Sequence, residues 1–304
     1  MTASTKVLFV GGYGRSGSTL LDRTLGQIDG FCSVGELRHV FREGYLENRL
    51  CGCGTRFRDC PFWRQVTREA FGDLGRFDAW QLLGDKERVD RWWRVPQLAW
   101  GWGSRARRSD LARYRDALRR LYAAIAAVSG AGVVVDSSKD VSHGYVLRGV
   151  GRPIEPYVLH LVRDSRAVAH SWRRQKFNPG SGSDMERWGL LRTSAEWTAI
   201  NALTALHRRI DSRYALLRYR DLAADPRAAV RSVLDLLGEE HRRLPFNASD
   251  TIVLGADHTV AGNPVRFQRG ELRVRSDDEW RREMPTAGRA LVTALTLPAL
   301  MRYG

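Results

Sequence analysis

The residues best placed to do chemistry stand in one run, Val7–Leu21, which reads VLFVGGYGRSGSTLL. Gly12, Gly14 and Gly17 alternate there with Arg15, Ser16, Ser18 and Thr19: backbone amides, a cation and hydroxyls, with no acid among them. Such a set binds an anion. The apolar residues before it, Val7, Leu8, Phe9 and Val10, read as a buried strand. A helix pattern starts at about Ser18 and is expected to reach Ile28. Strand, Gly-rich turn and helix in that order leave free N–H groups and the positive end of a helix dipole facing one ligand. The glycines let the backbone come close to it.

Gly12–Thr19 fits the spacing G-x-x-x-x-G-x-[ST], but Ser18 stands where a nucleoside-triphosphate loop has its lysine. Without that lysine the loop suits a ligand with one phosphate at that end; the plain alternative is a Gly-rich strand-to-helix turn. A second group of donors lies downstream. Tyr157–Val162 reads as a strand and runs into Arg163-Asp164-Ser165-Arg166-Ala167-Val168-Ala169-His170-Ser171. Arg163 falls at the strand's carboxyl end and Ser171 about two turns into the next helix. A ligand with phosphates at both ends would bind outside the carboxyl ends of parallel strands.

Tyr13–Thr19 resembles the 5′-phosphosulfate loop of sulfotransferases, enzymes that use 3′-phosphoadenosine 5′-phosphosulfate (PAPS), and Arg163–Ser171 resembles their 3′-phosphate motif. The resemblance implies that Gly14, Arg15, Ser16, Gly17, Ser18 and Thr19 hold the 5′ end, and that Arg163 and Ser171 grip the 3′-phosphate. Val34-Gly35-Glu36-Leu37 is similar to the Gly-Glu of tyrosylprotein and Golgi-type members, which implies Glu36 as general base; helix capping is the bland alternative. Lys139, in Asp136-Ser137-Ser138-Lys139-Asp140 just past an apolar strand, stands where related enzymes stabilise the transition state, with Arg15 as the other catalytic cation. Cytosolic aryl members use a histidine instead; His39, His143 and His170 are the candidates, and His170 reads as structural. Leu217–Leu222 resembles L-x-Y-E-D-L, which implies that Tyr219 supports the nucleotide. Gly262–Gly270 resembles a closing loop, with Arg266 or Arg269, and Gly270, at the 3′-phosphate. The cosubstrate implied is PAPS, with no metal required for transfer.

The competing readings are a P-loop nucleotide kinase and an arginine-rich nucleic-acid binder. The chain of 304 residues carries a formal net charge of +15, almost all from arginine, since lysine occurs only at Lys6, Lys86, Lys139 and Lys176. The arginines are spread along the chain and no DNA- or RNA-binding signature accompanies them; an anionic cosubstrate explains the excess more simply, so no nucleic-acid partner is expected. The partner expected is a small-molecule, lipid or glycosylated acceptor. No run approaches the roughly 20 apolar residues of a membrane span, and Met1–Lys6 is too short and polar for a signal peptide, so a cytoplasmic location is expected. Cys51, Cys53 and Cys60 cluster in LCGCGTRFRDCPFW. They could clip a metal, with Cys32 or His39 as a fourth ligand, close a local disulfide, or stay free.

Strands are expected at Lys6–Gly11, Gly132–Asp136, Tyr157–Val162 and Tyr214–Arg218, alternating with helices. A helix is expected to open at Ser33–Glu36 and run to about Asn48, another from Met185 to Ile210, a third over Pro226–Leu237, and a mostly helical stretch over Asp278–Leu297. Residues 61–129 read as a helical insertion or cap, whose clearest helix, Asp110–Val128, puts Leu111, Tyr114, Leu118, Leu121 and Ile125 on one face. Half of the chain's tryptophans lie between Trp80 and Trp102, a candidate acceptor wall through Trp93 and Trp100. The whole, residues 1–304, is expected to form one α/β domain: a central, mostly parallel sheet with helices on both faces and a P-loop-like phosphosulfate loop.

Overall fold

Val7, Leu8, Phe9 and Val10 are wholly buried, so the strand that carries them is covered on both faces. In the computed structural model, which describes residues 4–72, 77–248 and 250–303, this strand, β1 (Thr5–Gly11), is the middle of a five-stranded sheet. The others are β2 (Phe31–Gly35), β3 (Val133–Lys139), β4 (Ile154–Val162) and β5 (Tyr214–Arg218), in the order β2-β3-β1-β4-β5. Every neighbouring pair is parallel. From β1 the chain runs to edge strand β2, returns with β3 between the two, and then crosses to β4 and β5 on the other side of β1. The crevice beside its carboxyl end is therefore where loops from both halves meet.

Side chains alternate across β1. Leu8 and Val10 pack against α1 (Ser18–Leu25) and the helix Pro226–Leu237, through Leu21, Leu25, Val230, Val233 and Leu234. Val7 and Phe9 face the opposite layer, which includes Tyr114, Leu118 and Leu121 of the long helix Arg105–Ser129. Burial of each large apolar side chain stabilises by about 1.5–3 kcal/mol. The helix Arg105–Ser129 lies directly on the sheet, so the last part of the expected insertion belongs to the layer itself. The cap proper is Pro61–Phe71, Ala79–Val89 and Val95–Trp100. Among the described residues no helix is long and apolar enough to cross a membrane.

Several boundaries differ from the sequence reading. Ser33–Gly35 belongs to edge strand β2, not to a helix: Phe31, Cys32 and Ser33 pair with Val133, Val134 and Val135. Cys and Ser carry little strand signal of their own, and the valine run beside them decides the conformation. A 3-10 turn (Leu37–His39) and a π-helical turn (Val40–Leu46) follow. α1 stops at Leu25, and the helix expected from Met185 starts at Leu190, capped by Gly189. The hairpin Thr251–Leu254 with Gly270–Arg273 was not foreseen.

Below the carboxyl end of β3 the core is ionic. Asp136 is fully buried and accepts hydrogen bonds from Tyr122 Oη and the Ser138 amide, at 2.5 and 2.9 Å. His143 Nε2 lies 3.3 Å from Asp136 and its Nδ1 3.4 Å from Asp90. Asp90 in turn takes Arg38 Nε at 3.0 Å and Ser142 Oγ at 2.6 Å. Burial alone would lower the His143 pKa, but hydrogen bonds and charge from Asp136 and Asp90 override it and raise it to about 9. Folding stability from this imidazolium is therefore complete below the unfolded value of about 6.5 and is lost as pH rises through about 9. His143→Gln should cost on the order of 3–5 kcal/mol at pH 6, as when one partner of a buried ion pair is removed. Thermal melts from pH 6 to 10 should show a decline between about 6.5 and 9 in the native chain that the variant lacks.

Candidate active site

β1 delivers the Gly-rich turn to the sheet's carboxyl edge. Gly17 caps α1 with φ of 91°, and no side chain bonds the free amides of the first turn. A Cβ on Gly17 would lie 2.6 Å from Tyr219 Cδ2, so only glycine lets this ring close over the loop. Arg15, with φ of 68°, lays its guanidinium 4.7 Å above the Trp172 ring. Its Nη2 is buried with no hydrogen-bond partner. The Ser16 hydroxyl turns inward and donates to the Tyr13 carbonyl at 2.7 Å, so of this residue only the backbone can serve a ligand.

Gly14, Arg15, Gly17, Ser18, Thr19, Glu36, Lys139, Arg163, Ser171 and Tyr219 line one cavity of about 280 Å³. The sheet topology explains the convergence, because each lies at or beyond the carboxyl end of a strand. At the β4 side, Arg163 donates to Asp277 Oδ2 at 2.8 Å and to the Arg15 carbonyl at 3.1 Å, with its guanidinium 4.6 Å over the Tyr219 ring. At the β2–β3 side, Lys139, in a left-handed conformation, bonds Glu36 Oε1 and the Ser137 carbonyl. The Arg38 amide donates to Ser138 Oγ at 3.0 Å, fixing the two segments to each other.

The sequence reading missed Lys176, Trp172 and Asp277, which also line this cavity. Lys176 was legible, as one of four lysines in an arginine-rich chain. The cavity thus gathers Arg15, Lys139, Arg163 and Lys176 against two carboxylates, Glu36 and Asp277. Its residual charge, the free α1 amides and the orphaned Arg15 Nη2 fit a polyanion.

A second cavity of about 540 Å³ adjoins the first and shares Gly14, Lys139 and Trp172 with it. Trp172 and Trp188 stack at 3.8 Å and form its wall with Trp92, Ala195, Ala199 and Ile200. The tryptophans expected to form an acceptor wall are mostly not among these residues. Trp93 and Trp100 are 57% and 60% exposed and line neither cavity; of the Trp80–Trp102 group only Trp92 does. Tryptophan density along the chain does not reveal that a helix end and a loop 80 residues later supply the wall.

Three other expected contacts do not reach the first cavity. The buried Arg266 guanidinium donates to the Thr259 and Leu50 carbonyls, both at 2.7 Å, which need a donor inside the fold. Arg269 bonds the Cys53 carbonyl at 2.8 Å, and Gly270 opens the hairpin strand. From that loop Asn263 and Val265 line the cavity instead. Among the histidines, His39 lines the second cavity, 3.7 Å from Glu36 Oε2. Burial, with Arg38, Lys86 and Lys139 nearby, pushes its imidazole well below the usual histidine range. His143 is in the buried ionic core, and His170 faces Glu283 at 3.3 Å. Asp136, which ends an apolar strand as a magnesium-holding acid would, is wholly engaged inside the core.

The architecture is that of the sulfotransferase fold. It superposes on the sulfotransferase domain of the Synechococcus PCC 7002 olefin synthase with a TM-score of 0.52 and 20% identity, over 100% of this chain and 97% of that one. A sulfotransferase domain from the curacin biosynthetic pathway is similar at a TM-score of 0.50 and 16% identity, over 96% and 98% of the two chains. No protein-family model and no curated protein sequence matches the chain. At these identities the likeness shows the fold alone.

Proposed function

We propose that the protein is a PAPS-dependent sulfotransferase acting on a hydroxyl of a small-molecule, lipid or glycosylated acceptor, with residues 1–304 working as one catalytic unit. The observation that carries this reading is the single cavity holding the α1 amides, Arg15, the Arg163–Ser171 pair and the Glu36–Lys139 pair. The amides of the Gly-rich turn and Arg15 suit the 5′-phosphosulfate. Arg163, Ser171 and Tyr219 suit the 3′-phosphate, which would displace Asp277 from Arg163. Ser18 stands where a kinase loop has the lysine that bridges further phosphates.

In this reading the Glu36–Lys139 ion pair opens when donor binds. Lys139 moves its charge to the oxygen bridging phosphorus and sulfur, and Glu36 is released to face the acceptor. The acceptor enters from the tryptophan-walled cavity, which meets the donor cavity at Gly14, Lys139 and Trp172. Its oxygen forms a bond to sulfur as the bridging oxygen–sulfur bond breaks, and its proton passes to Glu36. The products are a sulfate ester and adenosine 3′,5′-bisphosphate. Holding both partners in line and stabilising the leaving oxygen are the protein's main contributions. A volume of about 540 Å³ with an aromatic wall accommodates an apolar body of drug-like size.

Calorimetry without added metal should show adenosine 3′,5′-bisphosphate binding more tightly than adenosine 5′-phosphate. Arg163→Ala should remove about 1.5–3 kcal/mol of that affinity. Equal affinity for the two nucleotides, or a strong preference for ATP with Mg²⁺, would falsify the donor assignment. Incubation with PAPS and metabolite extracts, read by mass spectrometry for the sulfate shift, supplies the acceptor. With that acceptor, Glu36→Gln should keep bisphosphate binding and lose roughly 10²–10⁴ in turnover; unchanged turnover would move the base to His39. Trp188→Ala should raise the acceptor KM and leave bisphosphate affinity alone, and a parallel loss of both would remove the cavity from the acceptor.

A further inference from the structure

Away from both cavities, the turn that carries Cys51, Cys53 and Cys60 meets His258, which comes from a loop about two hundred residues later. One ligand atom from each of the four lies within 4.8 Å of the others. Cys53 Sγ is 3.7 Å from Cys60 Sγ. His258 Nδ1 is 3.3 Å from Cys60 Sγ and 3.8 Å from Cys51 Sγ. A tetrahedral zinc with bonds of about 2.3 Å to sulfur and 2.0–2.1 Å to nitrogen sets S···S edges of about 3.8 Å and S···N edges of about 3.6 Å. The three distances above fall within about 0.3 Å of those edges.

We propose that Cys51, Cys53, Cys60 and His258 hold one structural zinc ion. Three sulfurs and an imidazole select a soft or borderline metal and disfavour magnesium or calcium, and four protein ligands leave no open position for catalysis. The sequence offered Cys32 or His39 as the fourth ligand. Cys32 lies in edge strand β2, and His39 sits between Glu36 and Glu43. His258 takes the place, and its distance along the chain hid it. All four cysteines are unbridged. A disulfide between Cys53 and Cys60 would engage two members of the cluster and leave Cys51 and the oriented imidazole unexplained. The ring is oriented: Phe62 stacks on it at 4.5 Å and 9°, and Trp63 Nε1 donates to the His258 carbonyl at 2.8 Å. These two contacts hold the ring and its backbone in place with Nδ1 turned toward the sulfurs.

The ion would fasten a strap that backs the candidate active site. The Gly52 amide bonds the Thr259 carbonyl at 2.9 Å, and Arg266 bridges Leu50 and Thr259. Further along the same strap, the Val260 amide bonds the Val34 carbonyl and the Glu36 amide bonds the Ala261 carbonyl, at 2.9 and 3.3 Å. A Cβ on Gly262 would fall 3.1 Å from Glu36 Oε1, so this backbone lies against the carboxylate. Asn263 and Val265 then reach the first cavity. A zinc at Cys51–His258 joins the turn before the cap to the segment that seats Glu36, two parts with no helix or sheet in common.

The test needs no activity. Full-length protein purified under reducing conditions without chelator should carry one zinc per chain by inductively coupled plasma mass spectrometry. Exchange with Co²⁺ should give thiolate-to-cobalt charge-transfer and tetrahedral ligand-field absorption. Cys53→Ser and His258→Ala should each weaken zinc binding by at least the roughly 10–100-fold that loss of an outer-shell partner costs, and Cys32→Ser should not. If either ligand variant fails to fold, metal content, the cobalt spectrum and the fall in Tm on chelation of the unaltered chain decide. Protein that takes up no zinc and keeps free thiols, a Cys53–Cys60 disulfide in the peptide map, or zinc retained equally by both ligand variants would each overturn the proposal.

Discussion

Four cations crowd the carboxyl edge of this sheet, and they cannot stand there without anions. Arg15, Lys139, Arg163 and Lys176 line one cavity of about 280 Å³. Much of the site's geometry answers that constraint. Glu36 takes Lys139, Asp277 takes Arg163, and the Arg15 carbonyl takes a second Arg163 proton. Arg15 itself is left to the Trp172 face and the Met185 sulfur, with one nitrogen unsatisfied. Among the described residues, carboxylates pair with Lys139 and Arg163, and no ion pair holds Arg15 or Lys176. That is the electrostatic signature of a site whose own ligand is anionic.

The residues that would do chemistry rest on others that would not. Glu36 and Lys139 approach each other because β2 and β3 are neighbours, and they stay in place because the segments after both strands share a buried ionic core. Arg38 reaches Asp90 and Asp140, His143 spans Asp90 and Asp136, and Ser138 joins Arg38 to Asp136. A buried set of this kind contributes little net stability when complete and is costly when broken. Arg23 acts similarly from α1. It is buried, pairs with Asp257 at 2.7 Å and holds the carbonyls of Gly255, Val265 and Gln268.

What could be read in advance followed from locality. The Gly-rich turn, Arg163 with Ser171, and the Pro226–Leu237 helix are each written within about ten consecutive residues, and each is found where the sequence places it. Contacts set by tertiary approach were not legible. Strand β2 is made by its valine neighbour. Arg266 and Arg269 look like phosphate ligands in sequence, yet buried carbonyls at Leu50, Thr259 and Cys53 claim them. The tryptophans at 172 and 188 outweigh the denser cluster in the cap because a wall is chosen by position and not by abundance.

Asp277 gives the site a kinetic character of its own. It is bound to the chain, so in the proposed reaction it would return to Arg163 as an intramolecular competitor, at an effective concentration that a tethered group brings to the millimolar range. Its carboxyl also stays ionised below the usual range, since the hydrogen bond and charge of Arg163 outweigh burial. An anion leaving the cavity would not have to strip a bare guanidinium from its grip. It would be exchanged for the Asp277 carboxylate, which re-forms the contact seen here at 2.8 Å. In the proposed reaction, that exchange would shorten the residence of a spent bisphosphate and let each turnover clear its own inhibitor.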